Sequence, residues 1–313
     1  MKTIYWVIPC YNEEAVLPET AARLVQKITS LQQKSLVSPD SRVVFVDDGS
    51  RDKTWEIIDG LHRDNPLFCG IRLSRNQGHQ NALLAGLMTV KDRCDAVISM
   101  DADLQDDIEA LDDFITAYEA GNDVVYGVRS SRKKDSAFKR TTARSFYRVM
   151  RFLGVDMVFD HADYRLMSRR ALDALSQFRE VNLFLRGVVP LVGFPCTTVT
   201  YERQERFAGS SKYPLRKMMA FAVDGITSFS VKPIRMVLAT GFLIFLCSIL
   251  VLIYSLVRFL CGHTVTGWTT TVASIWALGG IQLLSLGIVG EYVGKIYKEV
   301  KARPKFIVED TLF

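Results

Sequence analysis

The sequence predicts an α/β domain built on a mostly parallel sheet, followed by two membrane-spanning helices. Three observations carry this. Short β-rich runs alternate with helical patterns over residues 1–128, polar clusters fall at the ends of three of those runs, and two uncharged stretches of 22 and 23 residues lie in the last third. The 313 residues are 49% hydrophobic and 23% charged, which excludes a disordered or collagen-like chain. The formal charge is only +5 but it is uneven. Residues 129–151 carry nine Lys/Arg against Asp135, and residues 203–235 carry seven against Glu205 and Asp224; the remainder is net acidic. Two basic stretches in an acidic chain predict anionic substrates or an anionic membrane surface. A nucleic-acid partner would need aromatics on the basic face and no spans, so none is expected.

Thr3–Cys10 is apolar, but Asn12, Glu13 and Glu14 follow at once, so it reads as a buried first strand rather than a leader peptide. The expected strands are Ile4–Ile8, Arg42–Val46, Gly70–Leu73, Ala96–Met100 and Asp123–Tyr126. Between them Glu14–Leu31, Asp52–Leu61, His79–Val90 and Asp107–Tyr118 show helical spacing of apolar residues. In such sheets ligands bind at the carboxyl ends of strands. Tyr11-Asn12-Glu13-Glu14 follows the first strand, Asp47-Asp48-Gly49-Ser50 the second and Asp101-Ala102-Asp103-Leu104-Gln105 the fourth. Asn12 suits a helix N-cap, and Asp48-Gly49-Ser50 suits an ordinary turn, equally well. Asp101 and Asp103 are harder to explain structurally, because adjacent carboxylates repel unless compensated. Asp101, Asp103 and Gln105 offer oxygen ligands at i, i+2 and i+4 for Mg²⁺ or Mn²⁺ bridging a diphosphate.

The six cysteines are scattered without metal-ligand spacing, and Cys10, Cys69 and Cys94 read as small core residues in a reduced compartment. His62, His161 and His263 have no partners in sequence that suggest a metal site. His79 suits either a diphosphate contact or a helix start.

Met236–Val257 and Trp268–Gly290 contain no charge. At about 1.5 Å per residue each covers the hydrocarbon core of roughly 30 Å. The short loop between them predicts a hairpin. Arg216, Lys217, Lys232 and Arg235 precede it and Lys295, Lys298, Lys301, Arg303 and Lys305 follow, against Arg258 alone in the loop. The positive-inside rule therefore puts both termini in the cytoplasm. Trp268 and Tyr292 suit an aromatic belt. Gly279, Gly280, Gly287, Gly290 and Gly294 suit close helix packing and self-association, with a tetramer as the expected homo-oligomer. The expected domains are 1–214 catalytic, 215–235 a juxtamembrane interfacial helix, 236–290 the two spans, and 291–313 a cytoplasmic amphipathic tail. Residues 129–151, Lys217–Thr227 and Tyr292–Lys301 are expected to form interfacial helices.

Val7-Ile8-Pro9-Cys10-Tyr11-Asn12-Glu13-Glu14, Val46-Asp47-Asp48-Gly49-Ser50 and Met100-Asp101-Ala102-Asp103-Leu104-Gln105 resemble the signatures of family 2 glycosyltransferases, which have the Rossmann-like GT-A fold. Arg75-Asn76-Gln77-Gly78-His79-Gln80, Asp163-Tyr164-Arg165-Leu166, Asn182-Leu183-Phe184-Leu185-Arg186-Gly187 and Arg203 through Tyr213 resemble the polyisoprenyl-phosphate glycosyltransferases. These include the bactoprenol-phosphate glucosyltransferases and, more distantly, dolichol-phosphate mannose synthase. Gly290-Glu291-Tyr292-Val293-Gly294-Lys295-Ile296-Tyr297 looks like the bacterial branch. The resemblance covers nearly the whole chain; Asp107, where the family commonly has Pro, departs from it.

The resemblance implies metal-dependent, inverting transfer of a sugar from a nucleotide diphosphate to undecaprenyl phosphate at the bacterial plasma membrane; UDP-glucose and UDP-N-acetylglucosamine both suit the bacterial branch, with modified pentoses and GDP-mannose as open alternatives. It implies that Pro9, Tyr11, Glu13, Asp47 and Asp48, with Asn76, Gln80 and Asp101, bind the nucleotide sugar. Asp163, Asp103 and Arg165 are the expected catalytic residues. Asp163 orients the acceptor or acts as formal base, with Asp160 the runner-up and a carboxylate merely paired with Arg165 the competing reading. Arg203, Arg206, Ser210 and Lys212 lie just before the first span, where a lipid phosphate would be gripped, and Arg129 and Arg165 are further candidates. The rival readings are a non-catalytic scaffold or flippase partner, and a processive polysaccharide synthase. The latter needs more spans and a QxxRW motif that Gln204-Glu205-Arg206-Phe207 does not match.

Overall fold

A computed structural model describes residues 1–129, 161–180, 185–202, 232–261 and 267–313. The side chains of 161–162 and of part of the two C-terminal helices lie outside the description. The chain divides into two units. The first takes the described residues up to Glu202 together with Arg303–Phe313, and the second takes those from Lys232 to Ala302.

In the first unit the strands are β1 (Ile4–Cys10), β2 (Arg42–Asp47), β3 (Phe68–Leu73), β4 (Ala96–Ser99), β5 (Val124–Arg129), β6 (His161–Ser168), β7 (Cys196–Tyr201) and β8 (Val308–Leu312). They form one sheet in the order β7-β5-β6-β4-β1-β2-β3-β8. The block β4-β1-β2-β3 is parallel. All seven residues of β1 are buried, as a strand covered on both faces requires. The helices are α1 (Leu17–Gln33), α2 (Thr54–Asp64), α3 (His79–Val90), α4 (Leu111–Glu119), α5 (Arg169–Leu175) and the single turn α6 (Leu185–Val188). Leu17, Ala21, Leu24, Ile28 and Leu31 of α1 form a buried stripe at helical spacing and join Trp6, Ile8 and Phe45 in the core. Gly86 lets α3 lie close on the sheet: a Cβ there would run into Val7 Cγ1 and stand 2.7 Å from Val46 Cγ2. Cys10, Cys69 and Cys94 are buried, as expected of core thiols.

The five strands and four helices expected over residues 1–128 are present, with shifted ends. Two arrangements differ from the simple parallel reading. β5 does not pair with β4; β6 lies between them, antiparallel to both. The expected tail of 291–313 is two structures, because the last helix runs on to Lys301 and Val308–Leu312 becomes edge strand β8, antiparallel to β3. The pairing satisfies backbone groups that an edge strand would leave open, and it is extended by the Ser74 N–H donating to Ile307 O at 3.0 Å. Arg93 lies over the Phe313 ring at 3.9 Å.

The second unit contains α7 (Lys232–Leu260) and α8 (Trp268–Lys301), of 29 and 34 residues. Leu238, Phe242, Leu250, Leu283, Leu284 and Leu286 are exposed on them. Among the described residues no helix is long and apolar enough to cross a membrane. The uncharged runs that predict two spans include residues whose side chains lie outside the description. The stretch 130–160, with Asp160 and most of the expected 129–151 helix, and 203–231, with Lys217–Thr227, also lie outside it.

Candidate active site

The loops after β1 and β2 are stitched together. Asn12, in the left-handed region at φ 55, donates its N–H to Ser50 Oγ at 3.0 Å, and its Oδ1 accepts from the Arg51 N–H at 2.9 Å. It is therefore not the cap of α1, which begins at Leu17. The Glu13 N–H donates to Thr54 Oγ1 at 2.9 Å. Asp48 is buried and accepts from the N–H groups of Gln77 at 2.7 Å and Gly78 at 2.9 Å, so it pins the loop ahead of α3. That loop crosses Gly49 so closely that a Cβ there, at φ +65, would lie 2.6 Å from the Arg75 carbonyl carbon. Asp47 is fully buried. Its Oδ1 accepts from the Ser50 N–H at 3.0 Å while Oδ2 has no hydrogen-bond partner. Burial pushes Asp47 up from the usual carboxylate range. Pro9 is buried beneath this site, whereas Tyr11 and Asn76 are exposed at its rim. Gln80 Oε1 accepts from the Leu185 N–H at 3.2 Å, tying α3 to α6.

The third loop leaves β4 through Asp101. Leu104 takes φ 58, a conformation unfavourable for a bulky side chain, which is held by its burial. Thr20 Oγ1 of α1 donates to Ala102 O at 2.9 Å, and the Gln105 N–H donates to Asp103 Oδ1 at 3.2 Å. Beneath the loop Asp106 accepts from Tyr201 Oη at 2.7 Å and from the Asp101 N–H at 3.2 Å. Burial, and then the Asp101 charge, pushes Asp106 up to about 6. Arg129 Nε reaches Tyr201 Oη at 3.5 Å, so Arg129 belongs to this inner network.

β6 brings the fourth component. Its antiparallel register pairs Ser99 with Arg165, so the same register carried two residues on sets Asp163 level with Asp101. Ser99 Oγ donates to Asp163 O at 2.5 Å and fixes that backbone. The Asp163 carboxylate, 6% exposed, faces two guanidinium groups and the His79 imidazole. Arg165 Nη2 donates to Oδ1 at 2.7 Å, and Arg186 donates to Oδ1 at 3.2 Å through Nε and to Oδ2 at 3.0 Å through Nη2. His79 Nε2 stands 3.5 Å from Asp163 Oδ2 and 3.5 Å from Asp101 Oδ1. Burial opposes its charge, yet the His79 contact and both guanidinium groups hold Asp163 well below the usual range. His79 is raised in turn: burial works against its charge, and the Asp163 and Asp101 carboxylates outweigh it. Arg165 lies fully buried under Asp163, where it holds the carboxylate.

Among the described residues no group of three or more His, Cys, Asp or Glu side chains is placed to hold a metal ion. Asp101 and Asp103 are nevertheless two hard oxygen donors on one loop. Burial, with the charges of Asp163 and Asp103, pushes Asp101 up despite His79, as crowded anionic oxygens should. A divalent cation fits that donor set if a ligand's own oxygens complete its coordination.

The profile of glycosyl transferase family 2 matches residues 5–176, more than half of the chain. The chain belongs to glycosyl transferase family 2. It is a glycosyltransferase, and its fold is of the GT-A type. A second profile, the GtrB C-terminal hairpin, matches residues 232–296, the stretch of α7 and α8. The glycosyltransferase is 50% identical to the Uncharacterized glycosyltransferase YkoT of Bacillus subtilis, over 98% of this chain and 91% of that one. It is 38% identical to the SfII prophage-derived bactoprenol glucosyl transferase of Shigella flexneri, over 97% of this chain and 96% of the relative. It is also 36% identical to the prophage bactoprenol glucosyl transferase homolog of Escherichia coli, with 97% of each chain covered.

The structure thus gathers Asp101, Asp163 and Arg165 in one cluster and sets Asp47 and Asp48 on a neighbouring strand end. Arg203, Arg206, Ser210 and Lys212 lie outside the described residues. Asp106, Tyr201 and Arg186 were not among the expected site residues. Arg186 sits within a family-like motif and Asp106 directly follows the Asp101–Gln105 cluster, so each had a local signal; Tyr201 had none.

Proposed function

We propose that the enzyme transfers a sugar from UDP-glucose or UDP-N-acetylglucosamine to undecaprenyl phosphate, with inversion at the anomeric carbon and dependence on Mg²⁺ or Mn²⁺. Its relatives named bactoprenol glucosyl transferase support the acceptor class. One observation carries the reading further: Asp163 is held by Arg165, Arg186 and His79. A carboxylate held that far below its usual range is a weak proton acceptor and poorly suited to ionise a sugar hydroxyl. A phosphate acceptor, with a second pKa of about 6, is already largely dianionic and needs no strong base. Asp163 therefore orients Arg186 and His79 toward the reacting phosphates rather than acting as formal base. Arg165 serves beneath it as a positioning residue.

On this reading Asp47, with Pro9, Tyr11, Glu13 and Asn76, receives the nucleotide, and Asp48 and Gln80 shape the loop beside it. Asp101 and Asp103, with Gln105, would hold the cation, which supplies charge neutralisation for the departing nucleoside diphosphate. Direct attack by the phosphate oxygen forms the C1–O bond on the face opposite the leaving diphosphate, so the anomeric centre inverts. Arg203, Arg206, Ser210 and Lys212 are proposed to grip the lipid phosphate, with Arg129 supporting the inner network. The uncharged runs and the exposed apolar side chains of α7 and α8 support two membrane spans. The short loop between the two uncharged runs supports a hairpin with both of its ends on one side of the membrane. The basic flanks favour the cytoplasm for that side.

The test is transfer of radiolabelled sugar to undecaprenyl phosphate by the full chain in detergent, over a panel of UDP- and GDP-sugars with Mg²⁺ or Mn²⁺ and an EDTA control. A chloroform-soluble product from one UDP-sugar, lost with EDTA, is the expected result. No lipid product from any donor, with nucleotide binding intact, would reject the acceptor. In the same assay Arg206→Ala should raise KM for the lipid phosphate more than for the nucleotide sugar.

A further inference from the structure

The C-terminal strand does more than cover the edge of the sheet. Parallel register sets Arg72 of β3 level with Asp47 of β2. On the other side of β3, Arg72 pairs with Asp310 and Leu73 pairs with Val308, so Glu309 is the extra residue of a bulge. Bulges re-aim side chains next to functional sites. Here Glu309 Oε2 of β8 lies 3.5 Å from Arg72 Nε, while Asp47 Oδ2 of β2, the strand on the other edge of β3, lies 3.8 Å from the same nitrogen. Neither carboxylate makes a hydrogen bond to it: Arg72 Nε and Asp47 Oδ2 are both buried atoms without a hydrogen-bond partner. The guanidinium is also held over the Trp55 ring at 5.6 Å. A fully buried acceptor left open beside a cation that does not close on it is costly unless a ligand uses it.

We propose that Glu309 is a positioning residue for nucleotide binding. It draws Arg72 back from Asp47 and so keeps Asp47 Oδ2 open to accept an N–H from the nucleobase. This rests on the reading of Asp47 as a nucleotide contact. Without the Glu309 charge, Arg72 moves the short distance onto Asp47 and occupies the acceptor. The segment of chain that follows the C-terminal helices thereby completes the donor site. Glu309 is about half exposed, so the effect is a modest one.

The test is UDP affinity of the full chain in detergent by calorimetry, for the wild type, Glu309→Gln, Arg72→Gln and the double variant, with KM for both substrates alongside. Glu309→Gln should weaken UDP roughly three- to tenfold and raise the nucleotide-sugar KM in parallel, leaving the lipid-phosphate KM, kcat and Tm unchanged. Glu309→Asp should recover part of the loss. In the Arg72→Gln background Glu309→Gln should have no further effect, because the cation it restrains is gone. Unchanged UDP affinity in Glu309→Gln, or an equal loss with and without Arg72, would overturn the proposal while leaving nucleotide binding standing. A wild-type protein that binds no UDP would overturn both readings.

Discussion

Arg186 and Asp163 meet as a two-point fork, Nη2 to Oδ2 at 3.0 Å and Nε to Oδ1 at 3.2 Å. A fork fixes the plane of the guanidinium as well as its distance, which a lysine cannot do. Arg186→Lys should therefore lower kcat at least tenfold with little loss of stability, since Arg186 is 40% exposed. A kcat within twofold of wild type in a steady-state assay would show that the fork is not needed.

Asp163→Asn removes the counter-charge of buried Arg165, which costs about 3–5 kcal/mol where a buried charge is left unpaired. The pH dependence has a definite sign. Asp163 has a folded pKa depressed below its ordinary 3.8, so its contribution is complete above that value and is lost as pH falls through the folded pKa. The stability gap between wild type and Asp163→Asn should thus not narrow from pH 7 to about 5, where protonation of His79 beside Asp163 widens it, and should narrow only in more acidic solution. Thermal melts across that range check it; a gap that narrows between pH 7 and 5 would contradict the depressed pKa.

His79 links the loop of Asp101 to Asp163, at 3.5 Å from each. It is partly exposed, so His79→Gln should leave Tm nearly unchanged and reduce kcat by roughly one to two orders of magnitude through lost orientation. Melting together with turnover separates this from a helix-start role, which would move Tm first.

Asp103→Asn should abolish transfer without loss of the folded, membrane-extracted protein, and EDTA should do the same to wild type. Turnover by the Asp103→Asn variant at the wild-type rate would remove Asp103 from the cation site.

Gly49→Ala places a Cβ 2.6 Å from the Arg75 carbonyl carbon at a backbone φ of +65. The clash is with backbone, so the loop of Arg75–Gly78 must shift. We expect a loss of about 1–3 kcal/mol and a higher KM for the nucleotide sugar, because that loop is held by Asp48. Chemical denaturation and donor kinetics test the two parts separately.

The amino-acid sequence by itself determined the local elements and the positions of three polar clusters. Apolar runs such as Ile4–Cys10 and stripes such as Leu17 to Leu31 encode their partners through periodicity, and carboxylates at strand ends are legible because they interrupt buried strands. It did not place β6 between β4 and β5, because strand order depends on which edges meet after long connections rather than on any local pattern. Without that order the closeness of Asp163 to Asp101, 62 positions earlier in the numbering, cannot be read. Nor does the spacing of Val308–Leu312 announce an edge strand, since its short, charged pattern suits a solvated tail equally well; pairing with β3 decides it. The chemistry of single residues is written in the sequence. Which carboxylate is opposed by which cation, Asp163 by Arg186 or Asp47 and Glu309 by Arg72, was decided only when non-local register set those side chains within a few ångströms of one another.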